Sequence, residues 1–170
     1  MGAGEAPLIR DGTRDDAAAI ARVHVDSWRH AYRGHLPPEM LANLSVERRT
    51  QGWRDLLGDA GSPTLVAELD GQIVGFVGVG PSRDEEGLAE LYAIYLDPTR
   101  LGTGVGRALM DAALARLRTL GYPEATLWVI DGNDRAERFY RITGWRLDGA
   151  RKTEQLGDAT VMEVRYRRPL

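Results

Sequence analysis

Apolar positions along this 170-residue chain change their period several times, and each change predicts an element. Residues 8–11 form a short apolar entry that reads as an edge strand. Thr13-Arg14-Asp15-Asp16 follows, a hydroxyl with an acid three residues later, which marks a helix start. From there Ala17, Ile20, Val23 or His24, Ser27-Trp28 and Ala31 recur at helical spacing up to Tyr32, where Gly34 offers a stop. Pro37-Pro38 opens a second helix carrying Met40, Leu41 and Leu44, then Trp53, Leu56 and Leu57, interrupted near Ser45. Residues 15–58 thus predict a helical pair.

Between Thr64 and Gly80 the pattern turns to strands. Leu65, Val66, Ala67 and Leu69 precede Asp70-Gly71, and a β-branched run from Ile73 to Val79 follows. Asp-Gly between two such runs signals a two-residue hairpin, because the primed turn needs positive φ at both central positions. Pro81 to Gly87 is a polar loop and residues 88–97 a third strand. Residues 104–120 then form a helix with Val105, Ala108, Leu109, Ala112, Ala113, Leu117 and Leu120 inward. After Gly121, the continuous apolar run Ala125–Ile130 suits a central strand covered on both faces, with Trp128 as core. A helix over 134–143 closes on Gly144. Trp145-Arg146-Leu147 and a last strand near 159–167 complete a hairpin. The order βααβββαβαββ predicts an α/β (α+β) domain, one mixed sheet with helices on both faces.

One junction carries candidate chemistry. The strand Leu91–Leu96 runs through Asp97-Pro98 into Leu101-Gly102-Thr103-Gly104-Val105-Gly106 and a helix. The first helical turn has amides without internal partners and the positive end of the macrodipole, so glycines there let a phosphate approach bare N–H groups. Gly106 is followed by Arg107-Ala108, not the Lys-Ser/Thr of a P-loop, and the G-x-G-x-x-G spacing of a dinucleotide fold is absent. A phosphate-bearing cofactor held without metal or nicotinamide is the expectation.

Composition narrows the classes further. The length suits a single domain spanning 1–170. A net charge of -3 with dispersed cations gives no general attraction for nucleic acid. Zero cysteines remove disulfides, thiolate ligands and a cysteine nucleophile. His24, His30 and His35 do not share one helical face, so no metal is expected. No run approaches membrane-spanning length, and Met1–Pro7 lacks the regions of a secretion signal, so a cytoplasmic location is expected.

The element order and the glycine-rich turn together resemble the GNAT superfamily of acetyl-CoA-dependent N-acetyltransferases, over nearly the whole chain. Leu101–Gly106 matches the family's Q/R-x-x-G-x-G/A pyrophosphate signature except at the first position, where Leu101 stands in place of Gln or Arg. Asn133-Asp134-Arg135-Ala136-Glu137-Arg138-Phe139-Tyr140-Arg141-Ile142-Thr143-Gly144-Trp145 is similar to its N-x-x-A-x-x-F-Y-x-x-x-G-F/W segment. The resemblance implies a mostly antiparallel sheet of about seven strands, acetyl-CoA as co-substrate, and transfer of acetyl to an amine acceptor. It implies coenzyme A contacts at Ile94, Tyr95, Leu96, Leu101, Gly102, Thr103, Gly104, Val105, Gly106, Arg107, Asn133 and Tyr140, with Arg100 or Arg107 supplying the cation that Leu101 does not.

Acetyl transfer from a thioester needs a neutral amine, a site for charge on the carbonyl oxygen and a protonated leaving thiol. The resemblance makes Glu90 a candidate base and Tyr140 the acid toward sulfur. A solvated strand-end carboxylate at Glu90, and core packing for Tyr140 beside Phe139, stand as the bland alternatives. Glu85 and Glu86, in a loop, are weaker bases. A backbone N–H around Ile94–Leu96 would hold the carbonyl oxygen. Trp28 and Tyr32, i and i+4 on a helix, either wall an amine pocket or pack inward. A non-catalytic acyl-CoA-binding module and a nucleotide-binding regulatory domain are the rival classes. Exposed strand edges near the C-terminus suit a homodimer.

Overall fold

Seven strands, β1 (Leu8–Asp11), β2 (Thr64–Leu69), β3 (Gln72–Pro81), β4 (Ala89–Leu96), β5 (Glu124–Ile130), β6 (Arg146–Leu156) and β7 (Ala159–Pro169), make one sheet in the order β1-β2-β3-β4-β5-β7-β6. The computed structural model describes residues 5–57 and 63–170. Residues 1–4, part of the segment read for a secretion signal, and residue 58, the predicted end of the helical region, lie outside them. Every neighbouring pair is antiparallel except β4 with β5. The hairpin at Asp70-Gly71 forms as predicted, with φ of 51° and 72°.

Helices cover both faces. On one, α1 (Ala17–Ala31) and α3 (Val46–Leu56) press Ala17, Ile20 and Trp53 onto Val66 and Phe76. On the other, α4 (Val105–Thr119) and α5 (Asp134–Ile142) bring Leu109, Met110, Leu117 and Tyr140 onto Val77, Leu91 and Leu127. Phe76 and Val77 are consecutive on β3, so strand alternation sends them to opposite layers. Full burial of a side chain such as Phe76 or Leu109 contributes about 2 kcal/mol. At the entry to α1, Asp16 reaches back to accept from the Thr13 amide at 2.7 Å, as the sequence predicts.

Three expectations are corrected. The helical pair is three helices, because a short α2 (Pro38–Ala42) ends at Asn43 and Ser45 caps α3, its Oγ accepting from the Arg48 amide at 3.3 Å. Strand β6 extends to Leu156, far beyond Leu147; as an edge strand it is largely polar, so its pattern carries no apolar alternation. Leu120 lies past the last turn of α4 and is exposed.

His24, on the buried face of α1, sits inside an aromatic cluster. Its ring stacks on Tyr95 at 5.3 Å and meets Trp28, Trp53 and Phe76 edge-on. Nδ1 accepts from the Trp53 indole at 3.2 Å. Burial, with Arg49 adding repulsion, pushes its pKa down to about 3. The unfolded chain takes up a proton below pH 6.5 while the folded chain does not, so the stability His24 contributes is present above 6.5 and lost toward 3. Urea unfolding across that window should show a fall of a few kcal/mol in the native chain. The fall should be largely absent in His24→Asn, which keeps an acceptor for Trp53 but cannot titrate. Equal slopes in the two proteins would place the sensitivity elsewhere.

Candidate active site

Strands β4 and β5 pair only at Ala89↔Ala125 and Glu90↔Thr126 and then diverge. On its opposite edge β4 follows β3 through a shift from Gly78↔Ala93 to Val79↔Leu91, which makes Tyr92 the inserted residue of a β-bulge. A bulge bends its strand, and this one turns β4 away from β5. The opening is a cleft of about 730 Å³. Because Ile94 and Leu96 join the α4 layer while Tyr95 joins the α1 layer, the cleft passes through the sheet from one helical face to the other.

At one end lies the glycine-rich turn. Asp97 closes β4, its Oδ1 accepting from the Thr99 amide at 2.9 Å and hydroxyl at 2.7 Å. Gly102 and Gly104 have φ of 76° and 93°, a left-handed conformation that suits glycine, and a Cβ on either would meet open space. The α4 ladder begins with the Ala108 amide donating to Gly104 O at 3.0 Å, so the amides just before it have no ladder partner. They form the positive pole of a 15-residue helix. Arg107 lines this end, with Nε 3.3 Å from Asp111 in an exposed pair.

Helix α5 forms the adjoining wall. Asn133 caps it, Oδ1 accepting from the Ala136 amide at 3.4 Å. Buried Glu137 fixes its position, accepting from Tyr166 Oη at 2.7 Å and from the Gly132 amide at 3.1 Å. Beyond the helix, the Trp145 amide returns to Tyr140 O at 3.0 Å. Tyr140 is thereby held against the cleft, where burial foremost and Tyr95 second raise its pKa, so the phenol stays protonated.

The other end is aromatic and charged. Trp28 meets Tyr32 edge-on at 5.0 Å, and the Tyr32 and Tyr95 hydroxyls share a hydrogen bond of 2.9 Å. The two readings of this pair therefore merge, because Trp28 and Tyr32 pack together and also line the cleft. Trp128, read from sequence as core, belongs to the cleft wall. Its indole donates to Asp84 Oδ2 at 2.6 Å, and Lys152 Nζ lies 4.5 Å from its ring centroid. Glu163 of β7 lines the same end, 3.7 Å from Lys152 Nζ. Burial holds its carboxyl above the usual range. Sequence reasoning missed Glu163 and Lys152; an acid amid the apolar positions of the last strand was the available signal.

Of the sequence-predicted contacts, Ile94, Tyr95, Leu96, Leu101, Gly102, Gly104, Gly106, Arg107, Asn133 and Tyr140 come together on the cleft. Thr103 turns its hydroxyl back to Arg100 O at 2.6 Å, and Val105 buries its side chain in the core. Glu90 stands apart. It is 1% exposed, does not line the cleft, and both its oxygens accept from Arg83, Oε1 from the amide at 3.3 Å and Oε2 from the guanidinium Nε at 2.7 Å. Among the described residues, no helix is long and apolar enough to cross a membrane.

Comparison with known proteins gives this geometry its context. An N-acetyltransferase of Bacillus subtilis, YuaI, itself uncharacterized, is 38% identical over 130 residues, covering 74% of this chain and 72% of that protein. The mycothiol acetyltransferase of Acidimicrobium ferrooxidans is 34% identical over 142 residues, 82% of this chain but 43% of that longer protein. The fold is shared with the PaiA N-acetyltransferase of Thermoplasma acidophilum, solved in complex with coenzyme A, at a TM-score of 0.75, 20% identity and coverage of 98% and 100%. Residues 18–145 match the model of the acetyltransferase (GNAT) family. The chain belongs to that family and is an acyltransferase.

Proposed function

We propose that the protein transfers acetyl from acetyl-CoA to a primary amine by direct attack within a ternary complex. The observation that carries this reading is a cleft through the sheet with unpaired helix amides at one end and a carboxylate among aromatic rings at the other. The residues present fit the co-substrate. The amides from Gly104 to Arg107 would take its pyrophosphate, with Arg107 as the neighbouring cation. The β4 edge over Ile94–Leu96, left unpaired by β5, offers backbone donors and acceptors to an extended arm, as to an added strand. Acetyl-CoA supplies the thioester carbonyl; everything else falls to the chain.

An acceptor resembling lysine is mostly protonated near neutral pH and must lose a proton before attack. Glu163 suits this task, since burial raises its proton affinity toward the working range and it lies on the acceptor side of the gap. In this reading Glu90 holds Arg83 at the cleft wall instead of acting as base. Tyr140, protonated and opposite the β4 edge, donates toward the departing sulfur. Its role is supportive, because a thiol with pKa near 8.5 already leaves well. With no cysteine in the chain, a cysteinyl acyl carrier is absent, and the amine meets the thioester directly.

Thiol release from acetyl-CoA, measured over a panel of primary amines, should be amine-dependent and saturable in acetyl-CoA. Tight cofactor binding with no release across a broad panel would instead mark a non-catalytic acyl-CoA-binding module. Tyr140→Phe should lower kcat roughly tenfold or more while acetyl-CoA affinity stays the same. A change confined to affinity would reduce Tyr140 to a packing role.

A further inference from the structure

Lys152 is the single lysine of this chain, among 22 lysine and arginine residues in all. It lines the candidate active-site cleft. In register, Lys152 of β6 lies opposite Glu163 of β7, and Glu163 lies opposite Ile130 of β5. Its Nζ is 4.5 Å from the ring centroid of Trp128, a residue of β5, the strand that borders the gap. The same nitrogen is 3.5 Å from Glu154 Oε2 and 3.7 Å from Glu163 Oε2. The only lysine ammonium the chain possesses thus sits where an acceptor amine would be received, beside the carboxylate assigned above to take its proton.

A structural ion pair does not account for the choice of lysine. Arginine serves stacking and carboxylate pairing better, and it remains charged at all working pH values. Arg165 occupies the same indole at 5.5 Å and pairs with Asp148 at 2.7 Å in that manner. What lysine adds is an amine that can become neutral and nucleophilic. Trp128, Glu154 and Glu163 hold this amine at the cleft, with Glu163 close enough to take its proton.

We infer that Lys152 is an acceptor in its own right, and that the protein acetylates Lys152 Nζ within the same molecule. The inference rests on the acetyl-CoA reading above. The Nζ lone pair attacks the thioester carbonyl carbon. An N–C bond forms and the C–S bond breaks, with the electron pair leaving on sulfur. Nitrogen gives up two protons, one before attack as the ammonium becomes the amine and one as the amide forms. Each passes to Glu163 and then to solvent, and the sulfur gains one from Tyr140, which is reprotonated from solvent. No electron is gained or lost overall. The product is a neutral amide that no longer pairs with Glu154 or Glu163 and that fills part of the acceptor end. One transfer per molecule therefore converts an open acceptor site into one carrying its own product.

The test is intact-mass and peptide-map analysis of the full chain incubated with acetyl-CoA and no added amine. One acetyl group should appear, on the peptide containing Lys152, with a rate constant independent of protein concentration. The modification should be absent in Lys152→Arg and roughly 100-fold slower in Glu163→Gln. Acetyl-CoA binding, followed by the shift in Tm, is measured in parallel. Binding without modification of Lys152 overturns the self-acetylation and leaves the proposed function standing. A rate constant that rises with protein concentration, or an equal rate in the unfolded chain, also overturns it. Absence of binding overturns both.

Discussion

The parting of β4 from β5 organises this molecule. Two adjacent parallel strands in the middle of a sheet would ordinarily pair along their length, and here they pair at two positions. The bulge at Tyr92 bends β4, and Ile94–Leu96 have no register partner on β5. Unpaired backbone polar groups in a protein interior are costly, so such an edge needs water or a ligand with an extended polar backbone of its own. The gap also lets one cleft reach both helical layers. The pole of α4 and the caged aromatics of α1 thereby face a common space, although the sheet separates their cores.

The surrounding structure keeps that gap open. Against the α1 layer, Tyr95 is held by the stack on His24 and by the Tyr32 hydroxyl. Against the α4 layer, Ile94 and Leu96 join the main core. The far wall is fixed independently, since Glu137 ties α5 to β7 through Tyr166, and Arg168 donates to Thr143 O at 2.9 Å. Collapse of the cleft would require disrupting packed residues on both sides. A preformed site avoids much of the ordering cost of binding.

Much of this architecture was legible in the chain because its punctuation is local. Asp70-Gly71, the Thr13–Asp16 pair, Gly104 before α4 and Asn133 before α5 each act through bonds or dihedrals within a few residues. What the sequence concealed depends on register. The run Leu91–Leu96 is apolar throughout, so period alone could not reveal an inserted residue at Tyr92. Trp128 read as core for the same reason. Strand β6 is charged along its exposed edge and resembles a loop. Glu90 precedes the glycine-rich turn at a suggestive distance, but only the folded loop shows that Arg83 claims its carboxylate. Glu163 and Lys152 come together because β5, β7 and β6 lie side by side, an order no local pattern encodes.

Leu101, the departure from the resembled signature, finds a physical rationale in the same geometry. In the proposed reading the pyrophosphate meets backbone amides at the pole of α4, so the side chain at position 101 is secondary, and Arg107 stands on the cleft nearby. The central claim is that this pole and the free β4 edge seat coenzyme A together. Titration of the nitrogen-labelled protein with coenzyme A, followed by amide NMR shifts, tests it directly. The account predicts saturable shifts concentrated at Gly102, at Gly104–Arg107 and at Ile94–Leu96. Saturable shifts confined to other regions, leaving these amides unmoved, would contradict it.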